Sequence, residues 1–327
     1  MSAISGGPAS TARRFVRDVR RRAFVVELAA AVALLALAQA YLNLLDVVFH
    51  PVLALASSLP AGQRWTLARV VYGVLAIGGL GALAAAYVTV REVDLSLSLP
   101  EREHGPLVAI AALVPAVLAV GSNVAAVVAA PEFSVGDFAV AALNGPFGYL
   151  PGDYLVDPLV LVTLTALLYH GLVQASLARV VDGDIAVLAT TLVAGILLRE
   201  PHSMQFRNGP LWFTFSTEGV SMAVLFVITI AVIAHATDQF EDSRLRWLAF
   251  VPAVLALAYV AMWTTTTASS ALDHVHTASG VVVIATAAYA YDRTDSLLVP
   301  AVAYLSFAVV DELLMSARTA VFVSQFA

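Results

Sequence analysis

Apolar residues run along this chain in long stretches broken by short polar ones. The runs are Phe24–Phe49, Leu67–Val90, Pro106–Ala130, Leu155–Val180, Ile185–Leu198, Val220–Ala236, Trp247–Trp263, Val275–Tyr291 and Leu297–Phe322. A hydrocarbon core about 30 Å thick takes roughly 20 apolar residues per helix. The pattern therefore predicts an all-α, polytopic transmembrane helical bundle of about nine spans. Ile185–Leu198 is the short one, and reading it as re-entrant leaves eight. No soluble domain boundary interrupts the series: residues 1–23 form an arginine-rich cytoplasmic segment and residues 24–327 one transmembrane helical domain. The stretch Pro131–Tyr154, punctuated by Pro131, Gly145-Pro146 and Pro151-Gly152, is expected to be the longest non-helical segment and a lid over the external face.

Composition narrows the classes. The chain is 60% hydrophobic and 12% charged, against roughly 25% charged in soluble domains, and its mean hydropathy is +0.87. Having no cysteine, it has no disulfides, thiolate metal sites or cysteine nucleophiles. All 17 basic residues are arginine and the net charge is −6, a balance expected of a GC-rich, salt-adapted prokaryotic chain. The one arginine cluster sits at a terminus, so nucleic acid is not an expected partner. The lipid bilayer is.

That cluster, Arg13, Arg14, Arg17, Arg20, Arg21 and Arg22, directly precedes the first apolar run. The run is too long for the hydrophobic region of a signal peptide, so a retained first helix is expected. Cytoplasmic loops carry the arginine excess. With the N-terminus inside, nine spans put the cluster together with Arg91, Arg102, Arg179, Arg244, Arg246 and Arg293 on the cytoplasmic side. Arg64, Arg199, Arg207 and the acidic loop with Glu132, Asp137, Asp153 and Asp157 then lie outside, as does the C-terminus. Gly73, Gly78, Gly79 and Gly81 in the second span are expected to mark close helix packing.

Near the C-terminus the chain reads AYAYDRTDSLLVPAVA over Ala288–Ala303, followed by Tyr304 and LSFAVV. This resembles the C-terminal signature of the CPBP family of intramembrane metalloproteases, also called Abi or type II CAAX prenyl endopeptidase-like proteins. In that family a helix ends in a Tyr-x-Arg-Thr-x-Ser-Leu turn, here Tyr291–Leu297, and the next helix carries His-x-x-x-Asn. Leu95-Ser-Leu-Ser-Leu-Pro100 is similar to the family's linker before its core helices. The resemblance puts His-x-x-x-Asn on Tyr304 and Ala308. Glu-Glu-x-x-x-Arg falls on Gln174, Ala175 and Arg179, with Phe-x-x-x-His near Leu198. A second placement sets the first motif near Ala234-His235 and the next on Tyr259 and Trp263. Neither recovers the glutamates or the two histidines. Amide hydrolysis by that mechanism needs carboxylates and imidazoles to activate water, and a tyrosine with a pKa of about 10 is no substitute. The resemblance thus implies a catalytically degenerate relative with no metal and no cofactor. Zinc enters only if relocated ligands restore the protease.

Ionisable residues inside the apolar runs need a reason, because a charge at mid-bilayer costs at least about 2.5–3.5 kcal/mol on insertion scales. Asp311 and Glu312 lie near the centre of the last run. Tyr304, Ala308 and Asp311 step by four and three and so share a helix face, with Arg318 continuing the stripe. Both a residual proton or ion site and a structural polar contact fit that spacing. His170 precedes Gln174 by four residues, which suits a hydrogen-bonded core pair better than a metal ligand. His235 and Asp238 stand three apart at a helix end, spaced for a metal pair or an interfacial contact. Three functions stay open. The expected one is a non-catalytic binding or scaffold protein for a membrane protein or lipid-linked peptide. The alternatives are a metal-dependent protease using His170, His235, Asp311 and Glu312, and a transporter or proton-coupled carrier centred on Asp311 and Glu312.

Overall fold

Leu28, Ala31, Leu35, Ala38, Leu42 and Leu45 follow one another at three- and four-residue steps and are all buried, as one face of a helix must be if it packs against others. They belong to α1 (Pro8–Leu55). The computed structural model describes residues 8–55, 58, 61–129, 134–144, 159, 162–197, 224, 227–228, 251, 262 and 271–326. Among them there are helices and no strands. After α1 come α2 (Ala61–Arg91), α3 (Gly105–Ala129) and α4 (Val135–Asn144). Then follow α5 (Val162–Ala178) and α6, which begins as Gly183–Thr190 and continues as Thr191–Leu197. The last two are α7 (Ala271–Thr294) and α8 (Leu298–Phe326).

The side chains are distributed for lipid rather than water. In α3 the buried positions are Ala111, Pro115, Ala119, Ser122, Asn123, Ala126 and Val127. Its exposed positions include Ile110, Leu113, Val117, Val120, Val124 and Val128. Small and polar groups thus face the neighbouring helices and large aliphatic ones face outward, the arrangement that suits close helix packing in a bilayer. Four described helices are long and apolar enough to cross a membrane: Arg22–Leu42, Val70–Arg91, Arg102–Ala129 and Leu298–Arg318. The protein is a helical membrane protein.

Of the nine expected spans, four meet both criteria among the described residues. Val162–Ala178 and Gly183–Ala194 are shorter apolar helices. The α7 helix opens on Asp273, His274 and His276 and closes on Asp292 and Arg293, which shortens its apolar middle. The expected spans Val220–Ala236 and Trp247–Trp263 lie outside the described residues, apart from isolated positions. The Pro131–Tyr154 stretch needs correction. Residues 135–144 within it are helical, because Ser134 Oγ accepts the Asp137 backbone N–H at 3.3 Å as an N-cap. Phe138 and Ala141 then pack with Val127, Leu314 and Ala317.

Contacts at both levels make α1 and α2 antiparallel. Near one end Glu27 pairs with Arg91. Further in, a Cβ at Gly79 would collide with the ring of Tyr41, whose hydroxyl donates to the Leu75 carbonyl at 2.7 Å. Of the second-span glycines, Gly79 makes this close approach, while a Cβ at Gly78 or Gly81 would meet nothing within 4 Å. The same bundle end gathers the C-terminus of α2, the α5–α6 turn and the α7–α8 turn. Arg179 reaches Glu27 at 3.1 Å, Arg293 reaches Asp184 at 3.5 Å, and the Leu297 N–H donates to the Ser96 carbonyl at 3.0 Å. Two helices close there on left-handed acidic residues, Glu92 (φ 52) and Asp295 (φ 46), the conformation that ends many helices.

Overpacking the α1–α2 contact is expected to cost about 1–3 kcal/mol. Gly79→Leu should lower the thermal midpoint in detergent, whereas Gly78→Leu and Gly81→Leu should not. Equal losses at all three positions would show that the Tyr41 contact does not set the approach of these helices.

Candidate functional site

Across Ala166–Gln174 the α5 helix widens into π-helical hydrogen bonding, a local departure that occurs often at functional sites. It carries His170 and Gln174 on one buried face, at 0% and 1% exposure. The Gln174 Nε2 group donates to the Ala288 carbonyl of α7 at 2.7 Å. That bond fixes the amide, since only nitrogen donates, and turns Oε1 toward the imidazole. His170 Nδ1 lies 2.7 Å from Gln174 Oε1 and therefore carries the proton. In the neutral imidazole Nε2 is then the acceptor, and the Tyr304 hydroxyl of α8, 2.8 Å away, donates to it. The Tyr304 ring stacks on His170 with centroids 5.7 Å apart, and Tyr291 flanks it at 6.1 Å.

A second polar cluster lies further along α8. Asp311 is 6% exposed, and its Oδ1 accepts a hydrogen bond from Asn123 Nδ2 of α3 at 2.7 Å. The same Asn123 amide also donates to the Ala119 carbonyl at 2.9 Å. Arg318 is half-buried within electrostatic reach of Asp311. Seven residues of helix separate Tyr304 from Asp311, an axial distance of about 10 Å. Ala308, also buried, fills the interval on that face.

A third group sits at the arginine-bearing bundle end. Glu27 of α1 is buried and one of its oxygens takes both Arg91 and Arg179. Arg179 also donates to the backbone carbonyls of Arg91 and Glu92. Near it the Tyr87 and Ser176 hydroxyls lie 3.0 Å apart. This group joins α1, α2 and α5 by ion pairs, where hydrogen bonds join α5 to α7 and α8 and join α3 to α8.

The positions singled out in the sequence are thus sorted by the fold. His170, Gln174 and Tyr304 meet in one cluster; Asp311 belongs to another; Arg179 works at the bundle end. Ala175 and Glu312 are half-buried. Glu312 follows Asp311 by about 100° of helical rotation and so leaves α8 on a different face. His235, Ala234, Tyr259, Trp263 and Leu198 lie outside the described residues. Among the described residues no three His, Asp or Glu side chains gather as metal ligands would.

Sequence reasoning missed Asn123, Glu27 and the Ala288 carbonyl. Asn123 carried a usable signal: it is the one amide side chain in the Pro106–Ala130 run, where an unpaired polar group is costly. Glu27 carried a weaker signal, because the first run also holds Gln39, Asn43 and Asp46. The Ala288 carbonyl offered none, because a backbone acceptor is the same at every residue. No protein-family profile, curated protein or solved structure matches this chain.

The Tyr304 hydroxyl is expected to contribute through the imidazole it satisfies. Tyr304→Phe leaves His170 Nε2 buried without a donor, at a cost of about 1–3 kcal/mol. Removing the acceptor first, as in His170→Phe, should make the further Tyr304→Phe change far less costly. Thermal unfolding of both single variants and the double variant measures the coupling, and additive losses would dissociate the two residues.

Proposed function

We propose that this chain is a multi-pass protein of the cell membrane, a degenerate relative of the CPBP intramembrane proteases. It acts without catalysis, binding or scaffolding a membrane protein or lipid-linked peptide. The observation that carries this reading is the hydrogen-bond chain through His170. Gln174 and Tyr304 stand where the resemblance puts a catalytic glutamate and a catalytic histidine, and both bond to the same imidazole. That favours the motif placement on Gln174, Ala175 and Arg179 over the one near His235.

An amide, a neutral imidazole and a phenol hold no carboxylate to act as general base at this site. Both imidazole nitrogens are occupied by protein groups, so His170 activates water only if Tyr304 or Gln174 first lets go. Asp311 is bonded to Asn123 about 10 Å further along α8. The relocated-ligand protease would need it and His170 at a common point, within metal-ligand distances of roughly 2.0–2.2 Å. A carrier using Asp311 and Glu312 is the second reading, favoured by the burial of Asp311 beside Arg318.

The orientation proposed with this function has the N-terminus in the cytoplasm, nine spans and an external C-terminus. Its support is the gathering of Arg91, Arg179 and Arg293 at one bundle end with the start of α1's span. α6 leaves that end and α7 returns to it, which accords with the proposal of one span for each of the two apolar runs in that interval.

Purified protein in liposomes is expected to leave prenylated and transmembrane peptides uncleaved, with zinc present or absent. Chelator-sensitive cleavage lost on His170→Ala would reinstate the protease. A proton flux abolished by Asp311→Asn, with folded protein retained, would instead favour the carrier.

Reporter fusions should place the N-terminus inside and the C-terminus outside. Finding both on one side would exclude an odd number of spans.

A further inference from the structure

The linker between α2 and α3 is tied to the α7–α8 turn through its backbone, while Leu97 and Leu99 are exposed. The Leu297 N–H donates to the Ser96 carbonyl at 3.0 Å, and the Ser296 hydroxyl donates to the Ser98 carbonyl. Two alternate carbonyls are thus held by adjacent residues of the α7–α8 turn. The Ser96 and Ser98 hydroxyls lie 2.8 Å apart, so both occupy the same side of the linker, and side chains alternate along extended backbone. Leu97 and Leu99 therefore leave from the opposite side, at 69% and 81% exposure. Leu95, two residues before Leu97, is half-buried and packs where a Cβ at Gly171 would meet it at 3.1 Å, so the exposed apolar pair begins at Leu97.

The depth of these leucines follows from their anchor. Ser296 and Leu297 immediately precede the apolar span Leu298–Arg318, and the span Arg102–Ala129 begins just after the linker. Leu97 and Leu99 consequently stand at the level where two spans enter the hydrocarbon. Exposed charged residues bracket them: Glu92 and Asp94 before, Glu101, Arg102 and Glu103 after. Those groups hold the two ends of the linker in water, so only its middle can dip.

We propose that Leu97 and Leu99 form a shallow apolar wedge inserted in the boundary between lipid headgroups and acyl chains. The proposal rests on the membrane fold alone and not on the protease resemblance. The occupant is lipid because the linker runs directly into the α3 span and is bonded to the residues that open the α8 span, which places both leucines at the edge of the same bilayer. The acidic brackets add a second feature. Insertion owes nothing to attraction by anionic headgroups, unlike that of basic amphipathic segments.

The natural chain contains no cysteine, so single-cysteine variants take one label each. Leu97→Cys, Leu99→Cys, Asp94→Cys and Glu101→Cys, each labelled with an environment-sensitive fluorophore, are to be placed in phosphatidylcholine liposomes. All four side chains are wholly or largely outside the core, and an unchanged melting profile in detergent verifies that each label reports on folded protein. Labels at 97 and 99 should be quenched by brominated acyl chains and shielded from aqueous iodide, with the reverse at 94 and 101. Added phosphatidylglycerol should not deepen the insertion. Iodide quenching at 97 and 99 equal to that at 101 would overturn the wedge. So would shielding from both quenchers, which would mean that protein covers the leucines.

Discussion

An imidazole that is bonded on both nitrogens ties three helices of this protein together. His170 receives the Tyr304 hydroxyl from α8 and gives its own proton to Gln174, which in turn holds a carbonyl of α7. Each link sets the polarity of the next, and the direction is fixed at the far end by a backbone carbonyl that can only accept. Inside a bilayer such a chain has no water to compete with it, and its separated groups would have none to fall back on. The arrangement of α5, α7 and α8 therefore depends on it more than its individual bonds, commonly about 0.6 kcal/mol each in membranes, would suggest.

The other contacts follow the same economy of polar ties between small-residue surfaces. α3 buries the small side chains Ala119, Ser122 and Ala126 together with Asn123, whose amide reaches Asp311 of α8. α1 meets α2 where Gly79 admits the Tyr41 ring. At the bundle end, a single buried carboxylate, Glu27, gathers two arginines from helices that enter from different loops. Apolar side chains cannot supply such specificity in lipid, since they are as well solvated by acyl chains as by one another.

These ties also bear on chemistry. A group whose hydrogen-bonding capacity is filled by the protein has little left for a substrate. His170 is in that state, with the Tyr304 phenol on one nitrogen and the Gln174 amide on the other. Three helices thus converge on one polar point whose hydrogen bonds are closed within the protein.

Much of this was legible in the chain itself. Long apolar runs fixed the helical class and the bilayer as solvent, because twenty-residue apolar stretches have no other stable setting. The four-residue step from His170 to Gln174 and the stripe from Tyr304 through Ala308 to Asp311 followed from helical periodicity, which is a local property. The N-cap at Ser134 was also local, yet the surrounding prolines and glycines obscured it. What sequence could not supply was which helix each stripe would face. Asn123 and Asp311 are 188 positions apart, as are many pairs that never meet. The bond between His170 and Tyr304 spans 134. Periodicity assigns a residue to a face of its own helix; only the packing of small side chains against one another, and the need to pair every buried polar group, decided which faces came together.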